Sequence, residues 1–308
     1  MKDFLAPHEH DAAERAWEVV RTAYESREPV AWPRRHARPL VAGALVAAAV
    51  AAVVSPPGRS VVHSLRKAVG VEHAQTELFS LPTRGRLVVS GKGGAWVVSP
   101  DGSRRRLGAY RDAAWSPHGL YVVAVRRDEL VALDPKGNVR WTLPRRSPRF
   151  PAWTGTFTDT RIAYIAGGRL HVVGGDSKGD RTIGAAAQIP PVWRRTWVVA
   201  YSNGRKIVGY DTRSQSVVPH MALRRGGPTV QHRAGQSQVV LGGRVLFRGT
   251  GVFDQVVRSP DGRWLLVTWP TADQWVFIRI HPRKIVGVSR ISSQFGGFPR
   301  VGGWCCGR

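Results

Sequence analysis

Cysteine is almost absent: the 308 residues include two, Cys305 and Cys306, side by side. One adjacent pair cannot build a disulfide framework, and no zinc-type spacing accompanies it. The two thiols could join as a vicinal disulfide, stay reduced, or bridge two chains. Histidines are scattered, and no pair stands four residues apart beside an acid, so a helical zinc signature is missing. A nucleophile elbow, a phosphate loop and a glycine fingerprint in a strand–turn–helix setting are missing too. These absences leave no catalytic residue, metal or cofactor to name. Acidic residues are also few, 21 against 46 basic ones, for a formal net charge of +25.

That charge is unevenly placed. Residues 1–38 carry seven basic and seven acidic side chains, and residues 39–55 carry none, so the whole excess falls on 56–308. One reading is attraction to a polyanion: an acidic cell-wall polymer, anionic lipid headgroups or nucleic acid. The other is compositional, because arginine far outnumbers lysine in a chain rich in Ala, Gly and Val, as codon usage in a GC-rich genome produces. Nucleic acid ranks last if the basic part lies outside the cytoplasm.

Leu40 to Val54 reads LVAGALVAAAVAAVV, without a charge. At the helical rise it spans about 22 Å, short of a hydrocarbon core of about 30 Å. Pro39 and Ser55 extend it, Arg38 can snorkel, and Pro56-Pro57-Gly58 ends it. Three readings compete: a single-pass anchor over 39–56, a signal peptide cleaved near Ala49-Val50-Ala51, and a buried core helix. The anchor is preferred. The arm at 1–38 is long for a signal peptide's charged region, and no neighbouring helical domain exists for a core helix to join.

Before the anchor, residues 11–27 place Ala13, Trp17, Val20 and Tyr24 on one stripe, with Asp11 as N-cap. Such a helix docks on a cytoplasmic partner, lies on the membrane, or stays solvated. After the anchor, residues 57–84 read as a juxtamembrane stalk, with Val61, Val62, Leu65 and Val69 on one side.

From residue 85 the period changes to short apolar runs between Gly, Asp, Pro and Asn turns, with no helical stripe beyond residue 80. The runs repeat. Trp115-Ser116-Pro117-His118-Gly119 leads into LYVVAV, Trp153 leads into RIAYIAGGRLHVV, and Trp193 leads into WVVAYSNGRKIVGY. Arg258-Ser259-Pro260-Asp261-Gly262 leads into RWLLVTW, and a degenerate unit fills 229–247. The Trp-to-Trp steps of 38 and 40 residues fit a four-stranded unit. Hairpins with Asp-Gly or Pro-Lys-Gly turns follow at 95–107 and 130–143.

These units resemble the TolB-like, WD-repeat-like propeller family, whose repeat reads W-S-P-D-G, a strand, then a hairpin. The match covers 85–306, is best at 115–125 and 256–267, and departs at His118 and Arg258. Sialidase Asp-boxes place one residue between Asp and Gly, whereas Asp261-Gly262 is contiguous. The resemblance implies an all-β, six-bladed β-propeller over 85–308, with the Trp on each innermost strand. Phe298 to Trp304 resembles the strand missing from blade one, so the C-terminal strand is expected to close the ring. It also implies a bacterial cell-membrane protein with its N-terminus inside and the propeller outside.

Trp115, Trp153 and Trp193 could stack a sugar or peptide at the channel mouth, or serve as packing anchors between blades. Arg194 and Arg195 could line a basic face. The expected function is a non-enzymatic binding or scaffold module for a protein or an anionic envelope polymer. The alternatives are a transmembrane signalling protein of anti-sigma type, acting through a partner of helix 11–27, and an exported propeller enzyme.

Overall fold

The computed structural model describes residues 73–75, 80–218 and 227–306. The arm at 1–38, its helix, the apolar run 39–56 and the stalk up to residue 72 lie outside the described residues. Among the described residues no helix is long and apolar enough to cross a membrane.

The repeated units become antiparallel sheets. Among the described residues strand β1 (His73–Gln75) comes first, followed by β2 (Arg86–Gly91), β3 (Gly94–Val98) and β4 (Arg104–Gly108). The second sheet holds β5 (Asp112–Trp115), β6 (Val122–Val125), β7 (Glu129–Leu133) and β8 (Val139–Pro144). The third holds β9 (Arg149–Gly155), β10 (Thr160–Ala166), β11 (Arg169–Gly174) and β12 (Arg181–Ala185). The fourth holds β13 (Val192–Arg195), β14 (Val198–Ser202), β15 (Ile207–Asp211) and β16 (Ser216–Val218). The fifth holds β17 (Thr229–Arg233), β18 (Gln236–Leu241) and β19 (Arg244–Thr250). The sixth holds β20 (Gln255–Arg258), β21 (Trp264–Trp269), β22 (Gln274–Arg279) and β23 (Lys284–Ser289). A short helix α1 (Ile291–Phe295) and β24 (Arg300–Cys305) follow.

Six sheets therefore form among the described residues. Strand β24 pairs antiparallel with β2, with Leu87 opposite Trp304, and stands first in the β24-β2-β3-β4 sheet. Strand β1 pairs parallel with β23 and makes the sixth sheet five-stranded.

The second strand of each unit explains the unbroken apolar runs. Both faces of such a strand meet a neighbouring sheet, so few positions are left for a polar residue. All four residues of β6 are buried. Strand β8, an outer strand, alternates between exposed and half-buried positions. Alternation within a strand sends neighbours to opposite cores. Leu87 and Val89 pack toward Leu266 and Phe277 of the sixth sheet. Val88 packs toward Val122 and Ala124 of the second. Further clusters lie between the second and third, third and fourth, and fifth and sixth sheets. Helix α1 was not foreseen: its five residues are too few to show a stripe, yet Ile291 and Phe295 join the core between the sixth and first sheets.

The Ser-Pro-x-Gly turns owe their recurrence to the serine. Ser116 Oγ accepts from the Tyr121 N–H at 3.0 Å, and Ser259 Oγ accepts from the Trp264 N–H at 2.9 Å. Both serines are buried, and each cures a main-chain donor that the turn would leave bare. Gly119 and Gly262 close these turns at φ 65° and 70°, where a Cβ would be strained. His118 can replace the aspartate because the serine makes the essential bond.

Candidate ligand site at the inner strands

The first strand of each unit faces inward. Strand β5 packs on β24 and β9, β9 on β13, and β20 on β17 and β24. A cavity of about 410 Å³ opens where β5, β9, β20 and β24 meet the Pro190-Pro191 approach to β13. Asp112, Arg149, Gln255 and Arg300 are the first residues of their strands, so the charged groups gather at one rim.

The local fold of β9 builds this rim. Ala152 pairs with Ala163 and Arg149 with Ile165, so Phe150 and Pro151 together face Tyr164 alone. This is a β-bulge, which bends a strand and re-aims its side chains. Phe150 takes φ 53°, a left-handed conformation that costs a bulky residue about 1–2 kcal/mol. Pro151 is tolerated because the inner side of β9 has no ladder to feed. The bulge holds the Phe150 ring close to two guanidinium groups. Arg149 Cζ lies 4.7 Å from the ring centroid and Arg300 Cζ 5.0 Å.

Asp112 is buried. Its Oδ2 accepts from Arg149 Nε at 2.9 Å and from the Phe150 N–H at 3.2 Å. These two bonds fix the carboxylate in place at the start of β5. Arg300 differs. Burial lowers its pKa, opposed by Asp112 and Asp254, and an arginine stays protonated regardless. Among the described residues no hydrogen bond reaches its guanidinium, although it lines the cavity. The rim can therefore hold an acceptor group against Arg300, with an aromatic ring as backing.

Trp115 and Trp153 both border this cavity. Trp115 is 6% exposed and belongs to the core between the first and second sheets. Its ring lies under Arg86, with Cζ 4.9 Å from the centroid. Trp153 stacks against Tyr121 at 6.4 Å. Trp193 lies outside the cavity lining and donates Nε1–H to Ala152 O at 2.9 Å, tying β13 to β9. Arg194 keeps a buried Nε without a partner, and Arg195 is exposed on the same strand; neither reaches the cavity.

Asp112 and Arg300 carried no signal in the sequence, and Arg149 and Phe150 carried little. Each stands alone in its unit rather than in a shared motif, and only the packing of β5, β9, β20 and β24 brings them together. A weak sign was available in Arg149-Phe150-Pro151, since a proline beside an inner-strand aromatic suggests a bulge.

At the other ends of the inner strands, Cys305 and Cys306 are joined to each other. Gly119 packs against their sulfur atoms. Cys306 borders a second cavity of about 780 Å³ with His118 and Phe157, whose rings stack at 3.7 Å. Among the described residues no group of three or more His, Cys, Asp and Glu is placed to hold a metal ion.

No family model matches the chain, and no curated protein matches it. Several solved structures are similar in fold. A chain of a nidogen–laminin complex is 11% identical at a TM-score of 0.46, over 71% of this chain and 97% of that one. The Cps50 (Swd1) β-propeller domain of Myceliophteria thermophila is 12% identical at 0.39, over 59% and 72%. A chain of a mitotic checkpoint complex is 14% identical at 0.40, over 65% and 74%. Likenesses at this level say nothing of a ligand.

Proposed function

We propose that this chain is a membrane-tethered, extracytoplasmic six-bladed propeller, closed by β24, that works as a non-enzymatic binding or scaffold module. Its ligand is a protein or an anionic envelope polymer. The observation that carries the reading is the rim cavity, to which several inner strands contribute aromatic side chains beside the Arg300 guanidinium. Such a concave site with a few convergent polar groups is the usual form of a binding site. Closure is supported by the β24–β2 ladder and by the core that the sixth and first sheets share. Tethering is supported by the uncharged run at 40–54 and by the TolB-like character of the repeat. The net positive charge on residues 56–308 suits an acidic partner.

The test uses the full chain in detergent micelles, sedimented with anionic wall polymer over rising salt. The proposal expects binding that weakens with salt. Protease treatment of intact cells should digest residues 75–308; protection of that region in cells with an intact membrane would overturn the topology. The apolar stripe at 11–27 favours a second reading, in which occupancy of the propeller is passed to a cytoplasmic protein. Capture of one specific partner by residues 1–38 would support it.

A further inference from the structure

We propose that the rim formed by Arg300, Phe150 and Arg149 is a carboxylate site, which takes one acidic side chain of a protein partner's extended segment. This deepens the binding-module reading above and rests on it.

Three observations converge. The Arg300 guanidinium faces the cavity without a hydrogen bond from the described residues. An arginine fork matches a planar carboxylate through two parallel N–H bonds. Phe150, held at φ 53° by the bulge in β9, covers one side of the site and lies within 5.0 Å of Arg300 Cζ. Backbone strain of this kind persists where the surroundings enforce it, and it clusters at ligand sites. Arg149 is engaged with Asp112, so it orients the ring and leaves Arg300 as the ligand's partner.

The charge balance selects a monoanion. Arg149 is paired with Asp112, and Asp112, Asp254 and Arg149 all act on Arg300, so Arg300 alone is left to balance a ligand charge and a phosphate dianion would exceed it. The walls select a chain segment. Trp153, Pro191, Val257 and Val301 supply apolar surface beside the fork, and about 410 Å³ accommodates one side chain with its flanking backbone. A polymer with an anion on every unit would force a second charge against Asp112.

The experiment titrates the full chain in micelles by calorimetry and tryptophan fluorescence, since Trp115 and Trp153 border the site. The probes are a capped Ala-Glu-Ala-Ala peptide, its glutamine counterpart, acetate, inorganic phosphate and polygalacturonate. The expected result is saturable binding of the glutamate peptide, at least tenfold weaker for the glutamine peptide and for acetate. Arg300→Met should weaken it at least tenfold, and Arg300→Lys should retain part of it. Both variants are checked by thermal melting; if Arg300→Met does not fold, Arg300→Lys alone should still show weaker binding. Equal binding of acetate, tighter binding of phosphate, polygalacturonate binding lost in Arg300→Lys without peptide binding, or peptide binding unchanged in Arg300→Lys would each overturn the proposal. If the peptide fails while wall polymer still binds the wild-type chain, the carboxylate site is wrong and the binding module stands.

Discussion

The side-chain amide of Gln255 exchanges two hydrogen bonds with the main chain of Val301. Nε2 donates to Val301 O at 3.2 Å, and Oε1 accepts from Val301 N at 2.9 Å. The amide thereby acts as a short stretch of ladder between β20 and β24, which belong to different sheets. The first prediction follows from this pair. Gln255→Leu keeps the bulk and leaves the Val301 N–H and C=O unpaired, at a cost of about 1–3 kcal/mol. Urea unfolding of the variant and wild type should show the difference as a shifted midpoint with an unchanged slope.

Gly302 makes a second prediction about the same junction. A Cβ at this position would overlap the Ala113 carbonyl oxygen of β5, so β24 and β5 approach closely only because residue 302 has no side chain. Gly302→Ala should destabilise by about 1–3 kcal/mol, the range for forcing atoms into a filled site. Gly167→Ala, where nothing lies within 4 Å, serves as a contrast that bears only the cost of its positive φ. Thermal melting of both variants should place Gly302→Ala lower.

The fold was far more legible in the sequence than the site. Continuous apolar runs such as Val122–Val125 and the Ser-Pro-x-Gly turns at 116–119 and 259–262 report on burial and main-chain needs, which are local. The antiparallel β24–β2 ladder could be anticipated because Phe298 to Trp304 echoes the strand that the first unit lacks. The rim could not be read in this way. Asp112 and Arg300 are far apart in the chain and meet only through sheet order, and the φ of Phe150 depends on a bulge that β10 imposes. Of the aromatic residues singled out, Trp115 and Trp153 reached the cavity and Trp193 did not, because its indole is turned to Ala152 O.

Phe150 separates strain from contact. Phe150→Ala and Phe150→Gly both remove the ring, but only glycine relieves the positive φ. The glycine variant should be the more stable of the two by about 1 kcal/mol, and both should lose the stacking surface beside Arg300. Differential scanning calorimetry checks the order; a more stable alanine variant would mean that the left-handed conformation is not adopted.

Asp180 gives the chain a pH dependence. Burial acts to raise its pKa, yet hydrogen bonds from His171, Arg145 and Tyr164 together hold it below the ordinary carboxylate value. Tyr164 Oη donates to Asp180 Oδ1 at 2.9 Å, and Arg145 pairs with Oδ2. A lowered folded pKa means that the stabilisation is present above the unfolded value of about 4. It is lost as pH falls through the folded value. Asp180→Asn should therefore be less stable than wild type at neutral pH, with the gap narrowing below about pH 4. Urea midpoints at stepped pH check this, and a gap that stays constant with pH would contradict it.

The most direct measurement places a photo-crosslinking amino acid at Val192, which borders the rim cavity and is 47% exposed. A parallel chain carries it at Val139 on the outer strand β8, which is 50% exposed. Irradiation of intact cells should give a discrete adduct from position 192 that disappears when Arg300→Met is added, and none from position 139. Equal adducts from both positions, or none from position 192, would contradict a propeller that binds through its inner rim.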